Sequence, residues 1–198
     1  MTPVISELAD EFSALLGTGA VTAAVAVPDA AVASAPVEVA PVAAPADPAA
    51  PPAGVPPIAP SAPPAPVGPC TITEFKAKGY HLDVTTGADR VVACAEIMNR
   101  AGFAIDAVTG VDWMAAGQME VVYDYFHPHA PWRVVVRTRI PREAAELPTV
   151  STVFPGANWH ERETHDFFGI KFVGHPDLTP LLLPEDATYH PLRKDFVA

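Results

Sequence analysis

The sequence predicts an α+β fold: a small antiparallel or mixed sheet with packed helices, preceded by a disordered Ala/Pro-rich region and followed by an extended C-terminal arm. Three observations lead there. Of the 198 residues, residues 1–70 hold 15 of the 24 prolines, one aromatic (Phe12) and no Lys or Arg, so only residues 71–198 can build a core. Within that part, period-2 alternation marks Glu120–Phe126 and Arg133–Ile140 as strands, and Ala88–Arg100 carries a helical stripe. After Gly169 the prolines recur every few residues, which forbids helix and central strand alike.

The organisation follows in order as residues 1–17 helix, 18–70 linker, 71–170 folded domain and 171–198 tail. Thr2-Pro3 is a helix-start signature. Ile5, Leu8, Phe12, Leu15 and Leu16 then recur at helical spacing and Gly17 supplies a stop. A helix this short is marginal in water, so its apolar stripe should be ordered only against a surface. A docking helix for a distant subunit and a frayed extension without a partner both fit. Residues 20–69 hold 14 Pro and 18 Ala and read as a tether stiffened toward polyproline II, with a coil reach of roughly 40 Å.

In the domain, Thr71–Lys78 reads as a short helix and His81–Thr85 as a strand. Ala88–Arg100 places Val91, Cys94, Ala95 and Met98 on one face and stops at Gly102. Phe103–Thr109 follows as a strand, and His127–Trp132 turns a hairpin between the two alternating strands. Pro148 opens a short helical stretch through Val153. Asn158 and Glu161 have capping-box spacing and open a second helix that Gly169 closes. That helix is rich in charge and lacks a continuous apolar stripe. Arg162 precedes Asp166, and Glu161 precedes His165, by one turn, so internal pairing is expected. Leu178, Leu181, Leu182, Leu183, Leu192 and Phe196 sit in the tail, where they call for a groove on another surface or for the domain's own sheet.

Composition excludes several functions. The chain has 12 basic and 23 acidic residues, and neither half is net positive, so nucleic acid is not an expected partner. Glu7, Asp10 and Glu11 with no positive charge oppose a secretory leader, and no stretch is apolar enough for a membrane span. Two cysteines, Cys70 and Cys94, cannot hold an iron–sulfur cluster or a four-thiolate zinc by themselves. His160 and His165 are five residues apart, about 140° around a helix, which does not suit a zinc-protease pair. A stand-alone metal-dependent hydrolase using His160, Glu161 and His165 is the remote alternative.

The run from Glu161 to Phe196, ERETHDFFGIKFVGHPDLTPLLLPEDATYHPLRKDF, resembles the signature of the 30-kDa (C-type) subunit of NADH dehydrogenase, respiratory complex I. The blocks are Glu161-Arg162-Glu163, Asp166 to Ile170, Gly174 to Leu178, Leu182 to Asp186 and His190 to Asp195, and the similarity extends over about residues 75–196. The resemblance implies a non-catalytic structural subunit of the peripheral arm of an NADH:quinone oxidoreductase. It would pack on the large, 49-kDa-like quinone-site subunit beside iron–sulfur subunits, at the cytoplasmic face of the inner membrane. No cofactor is expected on this chain; iron–sulfur clusters and flavin would belong to partners. The equivalent subunit of an energy-converting NiFe hydrogenase or formate hydrogenlyase-like complex is the alternative, with a NiFe centre on the large subunit. Thr164-His165 and Ala187-Thr188-Tyr189 depart from the common complex I form in that direction. Partner-interface residues carried over in this way are Glu161, Arg162, Glu163, Asp166, His175, Asp177, Arg193 and Asp195.

Overall fold

Val134, Val136, Thr138 and Ile140 alternate with more exposed residues along one strand, and that strand is the spine of the fold. The computed structural model describes residues 5–17, 22–23 and 69–197. The Thr2-Pro3 cap and nearly all of the 18–70 tether lie outside the described residues. The elements are α1 (Ile5–Leu16), β1 (Thr22–Ala23), β2 (Cys70–Ile72), α2 (Phe75–Lys78), β3 (Leu82–Thr86) and α3 (Val91–Arg100). They continue with β4 (Ala104–Trp113), β5 (Gln118–Phe126), β6 (Arg133–Pro141), β7 (Glu146–Pro148), α4 (Ala157–Phe168) and β8 (Lys171–Val173).

The main sheet has the order β1-β2-β3-β6-β5-β4. The β2/β3, β6/β5 and β5/β4 pairs are antiparallel, whereas β3/β6 and β1/β2 are parallel. The register sets Leu82 against Val134 and Val84 against Val136, and then Tyr123 and Tyr125 against the same two valines. These six side chains are almost wholly buried and form one face of the core, on which α3 lays Val91, Cys94, Ala95 and Met98. The opposite face carries charge: Arg137 pairs with Asp83 at 3.1 Å, Arg133 with Asp106 and Asp124, and Arg139 with Glu120 at 3.3 Å. Such half-exposed pairs fix register more than they stabilise.

Several local expectations are displaced by long-range pairing. The Thr71–Lys78 helix is confined to Phe75–Lys78, because Cys70–Ile72 is captured as a strand by β3. The Pro148–Val153 helix is not formed: Pro148 ends β7, which pairs in parallel with β8 across the intervening α4, and the chain then makes only a turn, with the Val153 and Phe154 amides donating to the Val150 carbonyl. That β8 exists at all corrects the reading of everything past Gly169 as irregular. The capping box does not form: Gly156 is the N-cap of α4, and Glu161 faces inward instead.

The N-terminal helix α1 docks on its own domain. Ile5, Leu8, Ala9 and Phe12 are buried where α1 packs on β2, β3 and α3. The described residues all fall in one compact unit. Helix α4 runs beside β4, where Thr164 Oγ1 donates to the Val108 carbonyl at 3.1 Å and part of that edge strand is covered. The close approach needs Gly110, since a Cβ there would lie 2.5 Å from the Phe168 ring.

Candidate functional site

Helix α4 spends its charged side chains on the tail. Gly169 ends α4 in the left-handed region, at φ 72°; β8 follows, and the positive-φ turn at Gly174 sends the chain back along the helix. From there the contacts climb α4 in register. His175 Nε2 lies 3.2 Å from the Asn158 carbonyl. The Arg162 guanidinium donates to the carbonyls of Thr179 (2.9 Å) and Pro180 (3.0 Å) and to Thr179 Oγ1. Asp166 Oδ2 accepts the amides of Leu181 and Leu182 at 2.8 Å and of Leu183 at 3.2 Å. His190 Nδ1 donates to the Asp166 carbonyl, Leu192 N–H to Phe167 O, and Arg193 Nε to Phe168 O at 2.7 Å. The end of the tail reaches the sheet: Lys194 N–H donates to Asp112, and Asp195 pairs with Arg142 at 2.6 Å.

Two carboxyls anchor this cradle, and a third nearby behaves differently. Asp166 is buried, which raises its pKa, but the three amide hydrogen bonds, helped by His165, prevail and hold it below the usual carboxylate value. Asp112 is treated alike: burial raises it, and the Arg142 hydrogen bonds with the Lys194 amide bring it down. Glu161 goes the other way. Burial pushes its pKa up to about 7, against the hydrogen bonds from Thr149 Oγ1 and the Val150 amide. His175 Nδ1 accepts the Asp177 amide at 3.1 Å, which leaves the ring proton on Nε2. That edge faces Glu161 Oε2 at 3.8 Å, with both side chains fully buried.

The interface residues read from the sequence therefore divide. Arg162, Asp166, Arg193 and Asp195 hold the tail to its own domain, and Glu161 and His175 are interior. Asp177 closes a local turn with the Thr179 amide. Glu163 is exposed. The expected one-turn pairs are replaced too, since Arg162 and Asp166 both turn to the tail and His165 Nδ1 bonds the Ile170 carbonyl. Backbone polar groups of a strand-less segment need partners, and they outbid an exposed ion pair. His160 lines a cleft of about 650 Å³ with Trp159, Pro155 and Pro176, away from His165. Among the described residues no three His, Cys, Asp or Glu side chains gather as a metal site.

What remains outward is apolar. Trp159 is 69% exposed and Leu182 60%, and Tyr189, Leu192, Phe196 and Val197 are open as well, while Leu178 packs back on the core. Sequence reasoning missed Asp112, Arg142, Thr149 and His190 as parts of the cradle, for their partners are remote in sequence and no local spacing marks them. Gly169, legible in the sequence as a helix stop, has a second role that no local spacing marks: a Cβ there would lie 2.5 Å from Arg193 Nη2 and from His190 Nε2.

The molecule is thus a mixed α+β domain whose tail backbone is anchored to its own helix and sheet while apolar side chains of the tail face out. Similarity to known proteins gives the family. Residues 84–198 match the model of the respiratory-chain NADH dehydrogenase 30-kDa subunit, and the chain belongs to that family. One subunit of the F(420)H(2) dehydrogenase of Methanosarcina mazei is 41% identical over 91 residues, covering 46% of this chain and 58% of that protein. One subunit of the NADH-quinone oxidoreductase of Rhizobium rhizogenes is 35% identical over 130 residues, 63% of this chain and 64% of that one. The chain thus matches less than two thirds of the length of either relative. Among solved structures, a chain of the membrane-bound sulfane sulfur reductase, an archaeal respiratory membrane complex, superposes with a TM-score of 0.54. It shares 33% identity over 59% of this chain and 71% of its own length. Relatives of this chain are subunits of oxidoreductase complexes.

Proposed function

We propose that this chain is a non-catalytic structural subunit in the peripheral arm of a complex I-like oxidoreductase, packing its apolar band on the large quinone-site subunit. The observation that carries this reading is the division of labour in the tail. Its amides and carbonyls are bound by α4 and the sheet, while Leu182, Leu192, Phe196 and Val197 stay open to solvent. A polypeptide gains by exposing such a row only if another surface covers it. The relatives differ in electron donor, being named for F(420)H(2) in one case and NADH in another. A shared scaffold explains that spread better than shared redox chemistry on this subunit. Flavin, iron–sulfur clusters or a nickel–iron centre would then sit on partner subunits. No helix among the described residues is long and apolar enough to cross a membrane, which suits a peripheral position at its cytoplasmic face.

The experiment is a paired substitution, Leu182→Glu with Leu192→Glu, in the full chain expressed with its neighbouring subunits. Both side chains are more than half exposed, so the isolated chain should keep its thermal midpoint within a degree or two. Co-purification with the large subunit should fall at least tenfold. Undiminished assembly refutes the reading. The hydrogenase-type alternative shares this interface and differs in the partner, which mass spectrometry of the assembled complex identifies.

A further inference from the structure

The proposed function makes no use of α1, although its seat is built with care. Its apolar stripe is buried, with Phe12 and Ala9 fully covered. The Cys70 thiol donates to the Ala9 carbonyl at 3.6 Å. Two cations read the helix's direction: Arg90 Nη1 donates to the Leu15 carbonyl at 2.9 Å, at the negative end of the helix dipole, and Arg100 pairs with Glu11 on the rim. The walls, β3 and α3, lie within or just ahead of the family match that begins at residue 84, whereas α1 lies outside it. Covalently, α1 and β1 join that domain only through the Pro/Ala-rich residues 24–69.

We infer that the groove formed by β2, β3 and α3 is a helix-binding site, and that α1 is its tethered, exchangeable ligand rather than an integral part of the core. The chemistry it recognises is an amphipathic helix with apolar residues at i, i+3, i+4 and i+7, an acidic residue on the rim facing Arg100, and its C-terminal carbonyls at Arg90. A 12-residue helix is marginal when free. Docking therefore couples to folding, and the tether compensates by holding the helix at an effective concentration of about 1 mM. A micromolar ligand so held is released in about one molecule in a thousand. That release is far more frequent than unfolding of a domain of ordinary stability.

Cys70 reports the release, because its thiol lies under α1. In the full chain, alkylation of Cys70 is followed by mass spectrometry alongside hydrogen exchange of the β5 and β6 amides. Phe12→Ala should speed Cys70 alkylation about 100-fold and leave those amides as protected as before. Millimolar synthetic peptide of residues 2–17 should slow it again by refilling the groove in trans. A second variant spares the apolar contacts: Glu11→Arg should speed alkylation a few-fold, and adding Arg100→Glu should restore it. Cys70 reactivity that follows β5 exchange, that ignores Phe12→Ala, or that does not respond to the peptide overturns the inference. So does loss of β5 protection in Phe12→Ala, since α1 would then be part of the core.

Discussion

Glu161 is expected to make this protein's stability fall as the pH rises from acid to neutral. Its carboxyl is fully buried, with its pKa raised from the ordinary 4.5 to about 7. In the unfolded chain it ionises near 4.5; in the folded chain it keeps its proton until about 7. Between those values the native state holds one more proton, so stability decreases with rising pH and levels off above about 7. At 1.36 kcal/mol per pH unit, the ionised carboxylate costs about 3 kcal/mol at pH 8. Glu161→Gln removes that titration. Its amide oxygen can still accept the Val150 N–H, and its amide nitrogen can donate to Thr149 Oγ1, which turns its own proton to Ser151 Oγ 2.7 Å away. Urea unfolding of both chains from pH 4 to 8 should give near-equal midpoints at pH 4. At pH 8 the variant should be higher by about 1–3 M, for an m-value of 1–3 kcal/mol/M. Parallel pH profiles for the two chains would refute the reasoning.

Asp166→Ala strips three tail amides of their acceptor. Exchange at Leu181–Leu183 should accelerate roughly 30-fold, for about 2 kcal/mol of local hold, while β5 is unaffected. Because Asp166 is held below the ordinary 3.8, its hold on the tail is complete above that pH and is lost as pH falls through the depressed value. Exchange corrected for pH should therefore be flat from about 8 to 5 in the wild type. Arg142→Met leaves the buried Asp112 carboxylate without its cation and releases Asp195; a loss of about 3–5 kcal/mol is expected by urea titration. Gly110→Ala drives a methyl into the Phe168 ring and should lower stability by about 1–3 kcal/mol, read as a drop in thermal midpoint.

Local periodicity made α3, β5, β6 and the hairpin between them legible, since each declares its buried face within ten residues or so. The β-strand at Leu82–Thr86 and the stop at Gly169 were legible for the same reason. β7 and β8 were not, because each three-residue strand exists only through its partner on the far side of α4. The charged α4 misled in an instructive way. Spacing alone pairs Arg162 with Asp166, but a nearby segment with unmet backbone groups takes both. The family resemblance assigns the charged residues of α4 and the tail to a partner interface; within the chain itself Glu161 and His175 have buried side chains, and Leu182 and Leu192 are exposed.

By itself the amino-acid sequence determined which strands alternate, where helices stop and which family the terminal blocks resemble, for these depend on neighbours along the chain; its exclusion of residues 1–70 from the core is overturned by Ile5, Leu8, Ala9, Phe12 and Cys70, which are all buried in it. Tertiary structure alone decided that α1 is buried on its own domain, that Glu161 is starved of water, and that the tail shows its apolar side outward. Burial and hydrogen-bond partnership are properties of residues brought together from far apart, as Asp112 and Lys194 are, and no window of sequence contains both members of such a pair.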